Sequence, residues 1–562
     1  MICLVVHVHC RLLRSYKGAV RADILAIGGF LIYVHHWGDL PIPARPLSIF
    51  RNGSLLQESF SHDHSSRKIE PPTKANDLSS VLCLYKMLVN NRIAGTLELT
   101  SKVRYGLTSR GVPLFRFVPY DKRFGPMAVG CSQRNLFYNI HAIVEPSTTP
   151  QRQGELPKAN IIQNLGEPTD ESELKLLLTT YAYDSQKDLV AKRPPPPLAE
   201  EDDYTIRQTL RGTTFHIDPP GCKDVDDSFT VHKISDTKWT IAINIADVSS
   251  RVLEGSALDL EARRRATSFY TPAGDAIQPM FAREFSEDTF SLLPGKAKPT
   301  LSLCFDVEEG AWLPANLRWI STLTQTTLSY TYDEADKALG TSPELQVLQK
   351  ITQAPDSHVI VERLMIFYNE EAGKMLSSAG TGILRRQKDS AASRVQIPGV
   401  PEFLFYESAE YCLPTADSVA HEALGLDAYA YASSPIRRYA DIVNQRAIKA
   451  ILLGKGPAQQ AQQALVDEMN RRQKQAKAFQ RDLFFMTTLS KDAAAAAVQG
   501  TVISVNSEKR KAKVWVPAWK TAIQVKNISA DIKPSAPVSI QWYENRQEAR
   551  WKDKIVFKLL SP

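Results

Sequence analysis

Hydrophobic and polar positions in this chain fall into short alternating runs near both ends and longer mixed runs between them. The stretch "LAIGGFLIYVHHW" (25–37) reads as strand. Residues 46–80 are rich in Ser, Asp, Asn and Pro and read as loop or linker. From 81 to 183 the runs "RIAGTLELT", "VPLFRFVP", "MAVGC" and "NIHAIVE" recur between turn signals. That spacing predicts a small all-β barrel, followed by a helix over "ESELKLLLTTYAY". "KRPPPPLAEEDDY" (192–204) reads as a stiff polyproline linker ending in a solvated acidic run. The region 205–490 begins with strands, among them "TTFHI", "SFTVHKI" and "WTIAINIADVS", and ends in helices. Its last helix is long and rich in Ala and Gln, and the basic stretch 471–481 reads as a solvated face. Short strands return over 498–562 and predict a second small barrel.

Composition narrows this picture. A chain of 562 residues suggests about three to four domains, and the pattern divides it into 1–80, 81–190, 205–490 and 498–562. A net charge of +7 suits a polyanionic partner without demanding one. The 7 cysteines show no zinc-type spacing, as expected of reduced thiols inside a cell. No run of apolar residues is long enough to predict a membrane span. The N-terminus is basic, with no acid before Asp23. It reads as an organelle transit segment, which would make the protein mitochondrial, or as a small β-rich leader or part of a domain that begins further upstream, which leaves it cytoplasmic. Basic and aromatic residues mix in "RFVPYDKRFG" (116–125), either a nucleic-acid surface of OB type or an ordinary barrel edge.

Two constellations carry chemistry. "HIDPPGCKDVDDSFTV" (216–231) crowds Asp218, Asp224, Asp226 and Asp227 into one bend. Asp226 and Asp227 would face opposite sides of a plain strand, whereas the turn Pro219-Pro220-Gly221 folds Asp218 back toward Asp227. Four carboxylates in one pocket raise each other's pKa unless cations neutralise them. Magnesium prefers such hard oxygen ligands, and two ions about 3.5–4 Å apart suit phosphoryl chemistry. Taken alone, the same residues also read as a solvated acidic loop. EF-hand spacing is absent, and an aspartyl-phosphate phosphotransferase would place its first Asp directly after an apolar strand. Some 200 residues on, "YASSPIRRYADIVNQR" offers Ser434-Pro435 as a helix start, with Arg437 and Arg438 in the first turns, where anions are favoured.

Together these motifs resemble the RNase II (RNB) family of exoribonucleases. Further matches are "INIADVS" (243–249), "REFSEDTFSLLPGKAKPTLSL" (283–303), "LSYTYDEAD" (328–336) and "VERLMIFYNEEA" (361–372), in the family's order. The resemblance implies an α+β multidomain chain, in which a central RNB catalytic domain of mixed sheet and helices is flanked by small OB-type β-barrels of cold-shock and S1 type. It assigns Asp218 and Asp227 to magnesium, as one or two ions with manganese as a substitute. Asp224 supports the metal and water, and Asp226 is the acid most critical for catalysis. Arg437 matches the arginine at the scissile phosphate, with Arg438 beside it on the RNA. Tyr270, in "SFYTP", matches an aromatic that packs on terminal bases, and Glu362 a glutamate near the 3′ end.

The implied reaction is stepwise 3′→5′ hydrolysis of single-stranded RNA to nucleoside 5′-monophosphates, by a monomer with a possible place in an RNA-decay complex. Asn244 and Gln445 depart from the family pattern, where histidine is usual at both positions. A catalytically inactive RNA-binding regulator on the same scaffold is the alternative, and the intact aspartates favour an enzyme.

Overall fold

The computed structural model describes residues 92–147, 154–182, 207–272, 274–310, 313–388, 397–455, 462–490, 497–529, 531–545 and 548–560, with the backbone of four strands between 20 and 57. The chain divides into two units, Met1–Leu84 and Tyr85–Pro562. In the first, β1 (Val20–Ile27), β2 (Phe30–Trp37), β3 (Leu47–Arg51) and β4 (Ser54–Gln57) form an antiparallel meander. The stretch read as strand near 25–37 is the β1–β2 hairpin. Residues 47–57, expected as loop from their composition, carry β3 and β4 instead: "LSIFR" and "SLLQ" hold enough apolar residues to pair. Residues 1–19 and the polyproline linker lie outside the described residues.

The second unit opens with a barrel of β5 (Ile93–Leu97), β6 (Leu114–Pro119), β7 (Met127–Gly130), β8 (Ile140–Pro146) and β9 (Lys158–Gly166). It closes in the order β5-β6-β7-β9-β8, sealed by a parallel pairing of β7 with β9. Phe115, Phe117, Val129, Ile140 and Val144 fill its interior. At Gly95 the strands approach so closely that a Cβ would meet the Val118 carbonyl oxygen at 2.3 Å. Helix α1 (Asp170–Tyr181) starts from a capping box at Thr169 and Ser172 and buries Leu176, Leu177 and Leu178.

The central domain is built on six strands: β10 (Thr213–Asp218), β11 (Asp227–Lys233), β12 (Lys238–Ala246), β15 (Lys298–Glu308), β16 (Ala315–Thr324) and β17 (Leu328–Thr331). Their order is β16-β15-β12-β11-β10-β17, antiparallel except for the parallel pair β10–β17. Between β12 and β15 lie α2 (Ala257–Arg265) and the short strands β13 (Phe269–Tyr270) and β14 (Ala276–Gln278). Helices α3 (Tyr332–Ala338), α4 (Pro343–Thr352) and α5 (Ser357–Ser378) follow β17. Along α5, Ile360, Leu364, Tyr368, Ala372 and Leu376 repeat every fourth residue and are buried, so one stripe of the helix joins the core of the sheet. Gly373 lets α5 touch the segment at Tyr429, where a Cβ would lie 2.7 Å from backbone atoms.

After β18 (Leu384–Arg386) and β19 (Glu410–Cys412) come α6 (Tyr439–Leu452) and α7 (Gln463–Phe484). The basic stretch of α7 is not wholly a solvated face. Arg472 is fully buried and donates to the carbonyl of Arg264 at 2.7 Å. The chain ends in a second five-stranded barrel, β20 (Val498–Asn506), β21 (Lys511–Val516), β22 (Thr521–Lys526), β23 (Pro537–Glu544) and β24 (Ile555–Leu559), with the single-turn α8 (Trp551–Lys554) before β24. The second unit is therefore a mixed α+β domain flanked by small β-barrels. Among the described residues, no helix is long and apolar enough to cross a membrane.

Candidate active site

The aspartate bend forms where β10 and β11 part. Their ladder pairs Thr213 with Val231, Thr214 with Thr230 and Phe215 with Phe229, then opens. Gly221 supplies the positive φ of 78° that the Pro-Pro-Gly turn needs, and the turn is tied by Cys222 N–H to the Pro219 carbonyl at 3.1 Å. Three further bonds fix the bend. Val225 N–H donates to Ser291 Oγ at 3.0 Å. The Val225 carbonyl accepts from Leu292 N–H at 2.9 Å, and that of Asp226 from Ala246 N–H at 2.9 Å.

Each acid has its own surroundings. Asp218, at the end of β10, accepts from His216 Nδ1 at 2.8 Å. Asp224 accepts the Tyr270 hydroxyl at 2.6 Å. Asp226 is buried, at 4 % exposure, and both its oxygens are engaged from far along the chain: Oδ1 by Ile436 N–H at 2.8 Å and Oδ2 by Arg437 Nε at 3.1 Å. Burial pushes the Asp226 carboxyl up to about 7, with Asp224 adding to the rise while Arg437 and the Ile436 amide oppose it. Asp227 is raised well above the carboxylate range by burial and then by the charges of Asp218 and Asp226. The charge of Asp218 acts on Asp227, so the bend keeps the two acids within electrostatic reach of each other.

The arginine segment is not the start of a helix. Ser434–Arg437 form a turn, closed by the N–H of Arg438 on the Ser434 carbonyl at 3.0 Å, and α6 begins only at Tyr439. Arg438 is extended (φ −137°, ψ 124°) and bridges to Thr267, which overrides the helix-start signal of Ser-Pro. The same pairing brings Tyr270 to the site, because Ser268 N–H donates to the Arg437 carbonyl at 3.0 Å. Arg437 keeps 46 % of its side chain exposed, with Nη2 on Ser434 Oγ at 3.0 Å. Arg438 is committed elsewhere: its guanidinium bonds Asp441 at 2.7 Å and lies 3.9 Å over the Tyr431 ring. Asn369 of α5 braces the approach to this turn, donating to Ser433 Oγ at 3.0 Å and accepting Ala432 N–H at 2.9 Å.

The structure thus joins Asp218, Asp224, Asp226, Asp227, Tyr270 and Arg437, with Arg438 behind them. Glu362 stands apart, exposed on α5 and seven residues before Asn369, about 10 Å along the helix axis at 1.5 Å per residue. Sequence reasoning gave no role to Tyr332. It follows Thr331, which pairs with Asp218 across β10 and β17; burial and then the charges of Asp227 and Asp218 raise its phenol, and its ring stacks on His358 at 3.6 Å. The only signal for it was its place in "LSYTYDEAD".

Among the described residues, no three His, Cys, Asp or Glu side chains converge as a cage for one metal ion. Magnesium is commonly held by one or two carboxylates together with waters and substrate phosphates. Two hard oxygen donors, Asp218 and Asp227, held together against their own repulsion, suit that mode of binding.

The profile of the RNB domain matches residues 207–354 and 403–454, which include both the aspartate bend and the arginine turn. The chain is 26% identical over 365 residues to Exoribonuclease 2 of Aeromonas hydrophila, covering 50% of this chain and 54% of the relative. A comparable match, 26% identical over 366 residues, is an uncharacterized ribonuclease of Synechocystis, of which 54% is covered. The chain therefore spans about half the length of these curated relatives. Among solved structures, the apo form of Mycoplasma genitalium RNase R superposes with a TM-score of 0.64 at 14% identity, over 96% of this chain and 94% of that one. Yeast Ssd1, a pseudonuclease, gives 0.62 at 18% identity over 78% and 65%. At those identities the superpositions speak for the fold.

Proposed function

We propose that this chain, whose residues 207–354 and 403–454 match the RNB domain, is a magnesium-dependent 3′→5′ exoribonuclease of that family. It hydrolyses single-stranded RNA stepwise to nucleoside 5′-monophosphates. One observation carries the reading: Asp226 is bonded to Ile436 and Arg437 across 210 and 211 residues, so the acid bend and the arginine turn make one site.

In this reading Asp218 and Asp227 hold magnesium, with manganese as a substitute. Magnesium held there would supply activation of a water and neutralisation of charge on the phosphate. Asp224 supports the metal side of the site and is itself held by the Tyr270 hydroxyl. Asp226 acts through Arg437: it fixes Nε, so that the exposed remainder of the guanidinium faces a phosphate oxygen and stabilises the charge that develops there. The ring of Tyr270 offers a face for a terminal base. Arg438, tied to Asp441, keeps the turn in place.

The test is a 5′-labelled single-stranded RNA incubated with purified protein and magnesium, followed by product analysis. Progressive shortening with release of nucleoside 5′-monophosphates is expected. Asp226→Asn should slow release by about 10³-fold while RNA affinity in chelator is retained. Tight binding with no monophosphate released overturns the enzyme reading and leaves a binding protein on this scaffold.

A further inference from the structure

One loop of the central domain leaves its own core and lies on the second barrel. Strands β18 and β19 pair with each other, and the chain that joins them returns at Glu407, whose carbonyl accepts Gln387 Nε2 at 2.7 Å. Within that connection "IPGVPEFLF" (397–405) forms a compact strap. Its bends are held by Val400 N–H on the Ile397 carbonyl and Leu404 N–H on the Pro401 carbonyl, both at 3.1 Å, with Gly399 at a φ of 76°. Ile397, Val400 and Phe405 are buried, although so short a segment has no core of its own. The barrel buries them: they form one apolar cluster with Ile503 of β20 and Trp515 of β21, flanked by Leu404 and Ala522.

The covered surface is the outside of the barrel. Along β21, Ala512, Val514 and Val516 belong to the barrel core, so Lys511, Lys513 and Trp515 point outward. Trp515 lies opposite Ala522 of β22, and a bulge between Val502 and Ser504 inserts Ile503 on the same side. Strands 2 and 3 of such barrels make the face that takes oligonucleotides. An outward tryptophan there is a platform for a base, yet Trp515 is only 7 % exposed. The strap occupies the place of the base.

Two features make this cover displaceable. Among the described residues, no ladder ties 397–405 to a barrel strand, so side chains hold it. The cover also strips water from a cation. Lys513 Nζ donates to the Leu404 carbonyl at 3.0 Å, and burial lowers its pKa. A neutral carbonyl replaces that hydration only in part, whereas a phosphate would bring opposite charge. Lys513 shares a cavity of about 490 Å³ with Lys509, Lys511 and Gln524. Lys509 and Gln524 are exposed, so a polyanion has a place to land while the strap is still seated.

We propose that the strap 397–405 is a built-in competitor of RNA, closing the strand 2–3 face of the second barrel until a single strand displaces it from Trp515. Such a face is common to barrels of this plan; the lid over it is what this chain adds. RNA as the competitor rests on the nuclease reading, and the cover itself does not.

Hydroxyl-radical footprinting of the full chain in chelator, read by mass spectrometry, follows both sides of the contact without any variant. Phe405 and Trp515 should both be protected in the free protein. At saturating 20-nucleotide single-stranded RNA, Phe405 should become severalfold more reactive while Trp515 stays protected under a base. The double variant I397S/F405S, which loosens the lid, should bind that RNA at least about fivefold more tightly, the lower end of what one base–aromatic stack is worth. Adding W515A to it should abolish the gain. A strap that stays protected at saturating RNA overturns the proposal and leaves 397–405 as permanent packing between domains. So does a folded double variant whose affinity is unchanged or weaker, or a gain that survives W515A. RNA degraded with the strap still protected sinks the lid alone. A strap displaced by RNA in a protein that releases no monophosphate with magnesium sinks the nuclease reading and leaves the lid standing.

Discussion

Both oxygens of Asp226 are held by the turn around Arg437, so the guanidinium is aimed by its Nε and not merely anchored by charge. A lysine cannot copy that fork. Arg437→Lys should lower kcat by about 10²–10³-fold with little change in KM, as loss of a transition-state donor does; steady-state kinetics on a short RNA decides it. His421 gives a second prediction. Its imidazole is pushed down to about 4, first by burial and then by Arg385. The unfolded chain takes up this proton near 6.5 and the folded one only near 4, so the unfolded state binds more protons between these values and stability falls as pH drops through that window. The difference in urea midpoint between pH 7 and pH 5 should shrink in His421→Gln. At this scale the sequence was legible in type but not in contact. Motif matching singled out the aspartates and Arg437 as candidates, and the fold brings Asp226 and Arg437 into contact; only the fold shows Arg438 turned to Asp441. The departures Asn244 and Gln445 prove to be buried amides with partners: Asn244 bonds Thr230 at 2.9 Å and Ser302 at 2.7 Å, and Gln445 bonds the Ala246 carbonyl at 2.7 Å.

At the scale of elements, alternation found the strands of both barrels and the sheet, because inward and outward residues follow the pleat directly. Helix ends were harder. Ser434-Pro435 carries a statistical start signal, but the backbone N–H of Ser434 goes to Asp441 at 2.8 Å and Arg438 pairs with Thr267, so tertiary contacts move the start to Tyr439. Arg472 was hidden for a similar reason, since charge pattern alone does not reveal which turn of a helix is roofed by another domain. Helix α5 touches the backbone at Tyr429, in the segment that leads into the arginine turn. Gly373→Ala gains about 1 kcal/mol of helix propensity but forces a Cβ to 2.7 Å from the Tyr429 backbone, an overpacking that costs about 1–3 kcal/mol. Net destabilisation is expected, with a fall in kcat as the 429–433 segment shifts. Calorimetry and kinetics on one preparation check both, and an unchanged kcat would detach α5 from the site.

At the scale of the molecule, the three parts of the second unit meet in a buried polar knot. Tyr120 of the first barrel and Tyr181 of α1 donate to Asp482 of α7, at 2.9 and 2.7 Å. Trp551 N–H, from the last barrel, donates back to the Tyr120 oxygen at 3.1 Å. Glu173 of α1 accepts from Trp551 Nε1 at 3.2 Å and from Lys554 at 2.7 Å. Tyr120→Phe strands a buried N–H and weakens the hold on Asp482, a loss of about 1–3 kcal/mol. In a thermal scan the variant should show a lowered Tm and a separate, earlier transition for a barrel; one unshifted transition would show that the knot does not couple the parts. None of this was legible beforehand, because partners 362 and 431 residues apart leave no local pattern. The 210-residue reach from Asp226 to Ile436 has a consequence in time. A chain emerging from a ribosome exposes its aspartates long before the turn that completes their site has been translated. Under the proposed nuclease reading, a nascent chain would carry the acid bend without its arginine until the segment near Arg437 has been made.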